Sequence, residues 1–209
     1  MRKLLLLALL PCVSYAGTFK KVSEGTYEFT GIMVPSDVVA YKELILKEPR
    51  LTVIVDSEGG YLSAGVGMAE ATLLFHDKIE IVARECYSAA ALWAMSDPGF
   101  RYESDKSLVA WHLAWQSLGG TPVEQTVGDT SEMAMDLFLA MYRTQGASSV
   151  TLFRLMCEAR DWGGINTFVV LRKDGTKRTG LWSPEGWKWM DGTASASTRL
   201  MPVPTFIKP

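Results

Sequence analysis

Histidine is the scarcest chemically versatile residue in this 209-residue chain, which has two, His76 and His112. Any catalytic scheme that needs an imidazole must draw on one of them. Cysteine is nearly as rare, with three residues, which excludes a dense disulfide scaffold and a zinc site made of four thiolates. Neither sign of charge dominates. Lys and Arg number 21 against 23 Asp and Glu, a formal net charge of −2, so the basic footprint that a nucleic-acid or anionic-membrane partner calls for is missing. No apolar run is long enough to span a bilayer. What is there, 48% hydrophobic and 21% charged residues, describes a globular chain with length for one core and too little for several domains. No metal or organic cofactor is expected.

The first 16 residues read as a leader. Met1, Arg2 and Lys3 form a short positive region, and Leu4 to Leu10 is an unbroken apolar run of signal-peptide length. Ser14 and Ala16 put small residues at the two positions a signal peptidase reads, so cleavage is expected after Ala16. Cys12 leaves with the leader, because Pro11 stands where a lipoprotein signal calls for a small residue. Loss of Arg2 and Lys3 leaves 19 basic against 23 acidic residues, a net charge of −4. The expected product is exported, periplasmic or secreted, with no stable membrane anchor. An oxidising compartment permits a disulfide between Cys86 and Cys157, while two small buried thiols are the alternative.

Residues 17–192 read as one α/β domain and 193–209, with Ser, Thr and Pro, as an extended tail. Thr26 to Met33 is strand-like, and Ser36 is expected to cap a helix ending near Lys47, before Pro49. Leu51 to Val55 is β-branched and continuous, as in a buried parallel strand. It runs into Asp56-Ser57-Glu58-Gly59-Gly60 and then a helix from Leu62 to Phe75. Ile79 to Ala83 reads as a second strand, followed by a helix near Ser88 to Met95. Phe100 to Glu103 and Ser107 to Trp111 form a short pair that delivers His112. Thr121-Pro122-Val123-Glu124 fits a helix start, with Thr as N-cap, Pro at N1 and Glu at N3, opening a helix to about Thr144. A further helix is expected over Ser149 to Arg160. Phe168 to Leu171 and Lys177 to Leu181 bracket Asp174-Gly175 as a hairpin. Strand, crossover and strand in succession make a mainly parallel sheet the economical fold.

Candidate chemistry gathers at strand ends. Gly59-Gly60 sits between a strand and a helix, where paired glycines let backbone amides hold an anion. No GxGxxG or Walker pattern surrounds the pair, so a nucleotide reading is weak. Ser88 follows a strand and opens Ala89-Ala90-Ala91, where a hydroxyl lies near helix-initial N–H groups. The plainer role for such a serine is an N-cap. His112 ends Leu108-Val109-Ala110-Trp111, where a strand terminus can aim it along the same rim. His76 reads as a helix C-terminal residue that complements the dipole.

Together these segments resemble the Clp protease proteolytic subunit family, most closely its exported group. Val55-Asp56-Ser57-Glu58-Gly59-Gly60-Tyr61-Leu62-Ser63-Ala64-Gly65 resembles that family's Ser-Pro-Gly-Gly segment with its following Ala-Gly. Cys86-Tyr87-Ser88-Ala89-Ala90-Ala91 is similar to the nucleophile turn, and Leu108 to His112 to the strand ending in the catalytic histidine, 24 residues after Ser88. The resemblance runs from about Val53 to Asp161. It implies a ClpP/crotonase fold of repeated ββα units and serine-dependent peptide hydrolysis. Ser88 would be the nucleophile and His112 the general base. The oxyanion hole would come from backbone N–H groups at Gly59 or Gly60 and at Ala89. Asp161, 49 residues after His112, fits as the acid; aligned instead on Trp182-Ser183-Pro184-Glu185, the acid's place falls near Thr179, which carries no carboxylate. The resemblance also implies a homo-oligomer.

Two departures keep an alternative open. Glu58 replaces the family's proline and Ala90 its usual glycine, so a ClpP-fold binding or assembly module without catalysis stands beside an exported peptidase that takes peptide or unfolded-protein substrates and works without an ATPase partner. A crotonase-type acyl-CoA enzyme is disfavoured by export away from CoA. A Ser/Lys site would need Lys78 or Lys106 to reach Ser88.

Overall fold

The computed structural model describes residues 16–111, 115–118, 121–124, 167–183 and 186–189. The chain opens with an antiparallel pair, β1 (Thr18–Ser23) and β2 (Thr26–Met33), turning at Gly25 with φ 63°. Helix α1 (Pro35–Lys47) follows. Its start is two residues earlier than Ser36 suggests: Val34 is the N-cap, Pro35 takes the first helical position, and the Asp37 carboxylate accepts the Val34 N–H at 2.8 Å. A carboxylate at the third helical position competes well for that amide and favours the positive helix end, and it displaces serine from the cap.

Strand β3 (Leu51–Gly60) leads into α2 (Leu62–Leu74), and β4 (Ile79–Tyr87) into α3 (Ala89–Ala94). Both strands outrun the β-branched stretches that mark them in sequence. The extension of β3 carries two register shifts, one against β2 between Thr30 and Ile32 and one against β4 at Val55/Asp56. Such bulges keep a strand paired through residues of low β-propensity and cluster near functional sites. Two short strands, β5 (Arg101–Tyr102) and β6 (Leu108–Trp111), then pair parallel with β4.

The segment Thr121–Glu124 is a strand, not the expected helix start. It is β8, paired antiparallel with β7 (Trp115–Leu118). In sequence Gly119 and Gly120 stand between them, and a Gly-Gly link between two short strands favours a hairpin. Pro122 faces Ser117, one pair beyond the turn-flanking Leu118 and Thr121; in a two-residue hairpin that is the pair that exchanges no backbone hydrogen bonds, so the missing N–H costs nothing. The expected helices from 125 to 160 and the tail lie outside the described residues. The predicted hairpin around Asp174-Gly175 is present as β9 (Thr167–Arg172) and β10 (Lys177–Ser183), extended by β11 (Gly186–Trp189).

The main sheet runs β1-β2-β3-β4-β6-β9-β10-β11. Its centre, β2 to β6, is parallel, and antiparallel pairs close both flanks. Leu51, Val53, Val55, Ile81 and Ala83 face the core under the helices. Phe29, Tyr41 and Trp93 lock strand and helices together, with Trp93 edge-on to the other two at 5.3 and 5.0 Å between ring centroids. Burying three such rings is worth several kcal/mol. The alternate positions of β3 are half-exposed, and on that face Arg84 pairs with Glu28, Asp56 and Glu103. Every residue of α3 is buried, which fixes the turn preceding it. No helix among the described residues is long and apolar enough to cross a membrane.

Candidate active site

Ser88 joins β4 to α3. Its φ of 54° and ψ of −123° make it the one non-glycine with positive φ among the described residues. A side chain held in a region that favours glycine costs about 1–3 kcal/mol and persists only where its surroundings enforce it. Here they do: the Ser88 N–H donates to the Ala110 carbonyl at 2.8 Å, and its own carbonyl accepts from Ala91 at 3.0 Å and Leu92 at 3.2 Å. Although Ser88 occupies the N-cap position of α3, its side chain makes no capping hydrogen bond. The plainer reading of this serine, a helix cap, is therefore not what its hydroxyl does.

Gly59 lies against this turn. A Cβ at Gly59 would come 2.5 Å from the Tyr87 carbonyl oxygen, 2.8 Å from Ser88 Cβ and 3.0 Å from the Ala89 nitrogen. Only a residue without a side chain, at φ 88°, allows strand β3 so close to the Ser88 turn. The two glycines differ in what their amides do. The Gly59 N–H donates to Ser57 Oγ at 3.0 Å and so is committed, whereas Gly60 is exposed at the rim. Ala89 contributes the first amide of α3, which has no carbonyl one turn earlier to receive it.

Ser57 is the residue that sequence reasoning missed. It is fully buried; its hydroxyl donates to the Gly31 carbonyl at 2.6 Å while accepting from Gly59. Gly31 falls in the register skip between β2 and β3, so the hydroxyl replaces the ladder bond that the bulge removes. A serine two residues before a Gly-Gly pair, at the end of a buried strand, was the available signal.

The other expected residues divide clearly. Register pairs Tyr87 with Ala110, so β6 ends at the level of Ser88, and His112 follows it one residue on. His112, Asp161 and Cys157 lie outside the described residues. Cys86 is a buried free thiol that donates to the Val55 carbonyl at 3.2 Å. Burial, reinforced by the Asp56 charge, pushes that thiol's pKa far up and leaves it unreactive. Glu58 is half-buried on the alternate side of β3 from Ser57 and Gly59. Thr179 pairs with Val169 in the flanking hairpin. His76 stands just past the end of α2, in contact with Asp77 at 3.1 Å. Lys78 donates to the Ile45 carbonyl at the far end of β4, about 30 Å of strand away from Ser88, which removes it from a Ser/Lys site. Lys106 precedes β6 and is bonded through its carbonyl to Arg172 at 3.5 Å.

No family model matches the chain, and no curated protein is significantly similar in sequence. Among solved structures it is similar to the 1510-N membrane-bound stomatin-specific protease, in a serine-to-alanine mutant form. The TM-score is 0.55 at 9% identity, over 71% of this chain and 72% of that one. A mutant of ClpP1 from Listeria monocytogenes aligns at a TM-score of 0.42 and 15% identity, over 68% of this chain and 90% of that one. The fold is ClpP-like. It is the α/β class expected from the sequence, with parallel strands at the centre of the sheet. Identities this low speak to fold, so the chemistry must be argued from the site itself.

Proposed function

We propose that the chain is an exported serine peptidase of the Clp-like type, with Ser88 as nucleophile. The observation that carries this reading is the strained Ser88 turn, whose hydroxyl makes no capping bond, packed against Gly59 at the mouth of the parallel strands. In the proposed reaction Ser88 Oγ attacks a peptide carbonyl while His112 takes its proton and later returns it to the leaving amine. The developing oxyanion is held by the N–H groups of Ala89 and Gly60, since that of Gly59 is engaged by Ser57. Each such donor is worth about 10²–10³ in rate. Asp161 is the proposed orienting acid. Substrates are peptides or unfolded segments, no ATPase is needed, and the working form is a homo-oligomer.

The test is labelling with a serine-directed fluorophosphonate. Wild type should label, while Ser88→Ala and His112→Ala should not. An unlabelled wild type, or equal labelling of Ser88→Ala, would leave the chain a non-catalytic member of its fold.

A further inference from the structure

Asp37 is a buried carboxylate with no cation beside it among the described residues. It is 5% exposed, and its Oδ2 accepts the Val34 N–H at 2.8 Å and the Gly17 N–H at 3.2 Å. Among the described residues no Lys, Arg or His pairs with it. Burial moves its pKa upward against the pull of those two amides. A buried ion facing only neutral donors is an incomplete arrangement.

One of those donors changes character if the leader is removed. Ala16, after which cleavage is expected, is exposed and bridges to Ile32. Hydrolysis of the Ala16–Gly17 peptide bond by a leader-processing peptidase adds water across it. The hydroxyl goes to the Ala16 carbonyl, and a proton goes to the Gly17 nitrogen, which at neutral pH takes up another from solvent. The neutral amide at 3.2 Å becomes an ammonium in the same place. Position 17 is also fitted to this spot: any side chain there would collide with the Phe29 ring and come within 2.9 Å of Asp37 Oδ2.

We propose that leader removal creates an ion pair between the new Gly17 α-ammonium and Asp37, which anchors the N-terminal strand of the mature protein to the start of α1. The pair supplies the cation that Asp37 lacks among the described residues. Its neighbours there are the Phe29 ring and the Val34 amide, with Asp37 buried and Gly17 half-buried, so the pair is screened less by salt than one at the open surface. The inference rests on the export reading and is independent of Ser88 chemistry.

The full chain is expressed with its leader in an exporting bacterium and the N-terminus of the exported product is read by mass spectrometry. The α-amine is then carbamylated with cyanate at neutral pH. The pair predicts a chain beginning at Gly17, whose amine reacts about tenfold or more slowly than that of a peptide with the same first residues. Carbamylation and Asp37→Asn should each lower the Tm by about 5 °C or more, and the two together by little more than either alone. A different N-terminus would overturn the pair and the Ala16 cleavage reading together. A Gly17 amine as reactive as the peptide's, or carbamylation without effect on Tm, would overturn the pair alone, whatever the labelling of Ser88.

Discussion

Two hydroxyls near the same helix behave in opposite ways. Thr72 on α2 is wholly buried, and its Oγ1 donates to the Met68 carbonyl at 2.9 Å, receives the Trp93 indole N–H at 3.1 Å and meets the Tyr41 hydroxyl at 2.8 Å. Ser88, before α3, sits in a strained backbone conformation with no bond from its side chain to the helix it precedes. The first arrangement ties three helices together around a fully satisfied oxygen. The second accepts backbone strain and leaves a side chain that does nothing for the helix. A fold keeps such a residue where its packing is over-determined, and buried α3 with its Thr72 anchor supplies that rigidity.

If this division is right, substitutions at the two places should separate chemistry from stability. Ser88→Gly should abolish fluorophosphonate labelling, a loss of at least about 10³, while relief of strain raises the Tm by about 2–4 °C; a lower Tm would mean that the side chain supports the fold. Gly59→Ala should cut labelling by about 10² and destabilise by about 3 kcal/mol, because its Cβ meets backbone atoms that cannot yield; denaturant melts and labelling rates read both. Ser57→Ala should slow labelling by about tenfold and cost about 1–2 kcal/mol by orphaning the Gly59 N–H and the Gly31 carbonyl, with Ser57→Thr restoring part of the rate. Thr72→Val should cost about 2 kcal/mol by stranding the Trp93 and Tyr41 groups and change labelling by less than about twofold. A large loss of labelling in Thr72→Val would erase the distinction between interior and rim.

Much of this is legible in the sequence. The β-branched cores of β3 and β4 and the small-residue start of α3 locate Ser88 between strand and helix, and the Gly-Gly pair announces a close approach. Strain at Ser88 is invisible in sequence, because it arises from the Ala110 and Ala91 bonds that tertiary packing imposes. Ser57 was hidden for a related reason: its role exists only because β2 and β3 slip register at Gly31. Thr121-Pro122-Val123-Glu124 satisfies the local rules for a helix start and for a strand equally, and pairing with β7 decided it. The start of α1 turned on Pro35 at the first helical position and on the Asp37 carboxylate, which takes the Val34 N–H and places the N-cap at Val34.

The most direct measurement is the site of phosphonylation. After fluorophosphonate treatment of the wild-type chain, peptide mapping should find a single adduct on the serine of Glu85-Cys86-Tyr87-Ser88-Ala89, formed at a rate that falls to background in His112→Ala. An adduct on another serine, or a wild type that stays unmodified while remaining folded, would contradict the assignment of Ser88 as nucleophile.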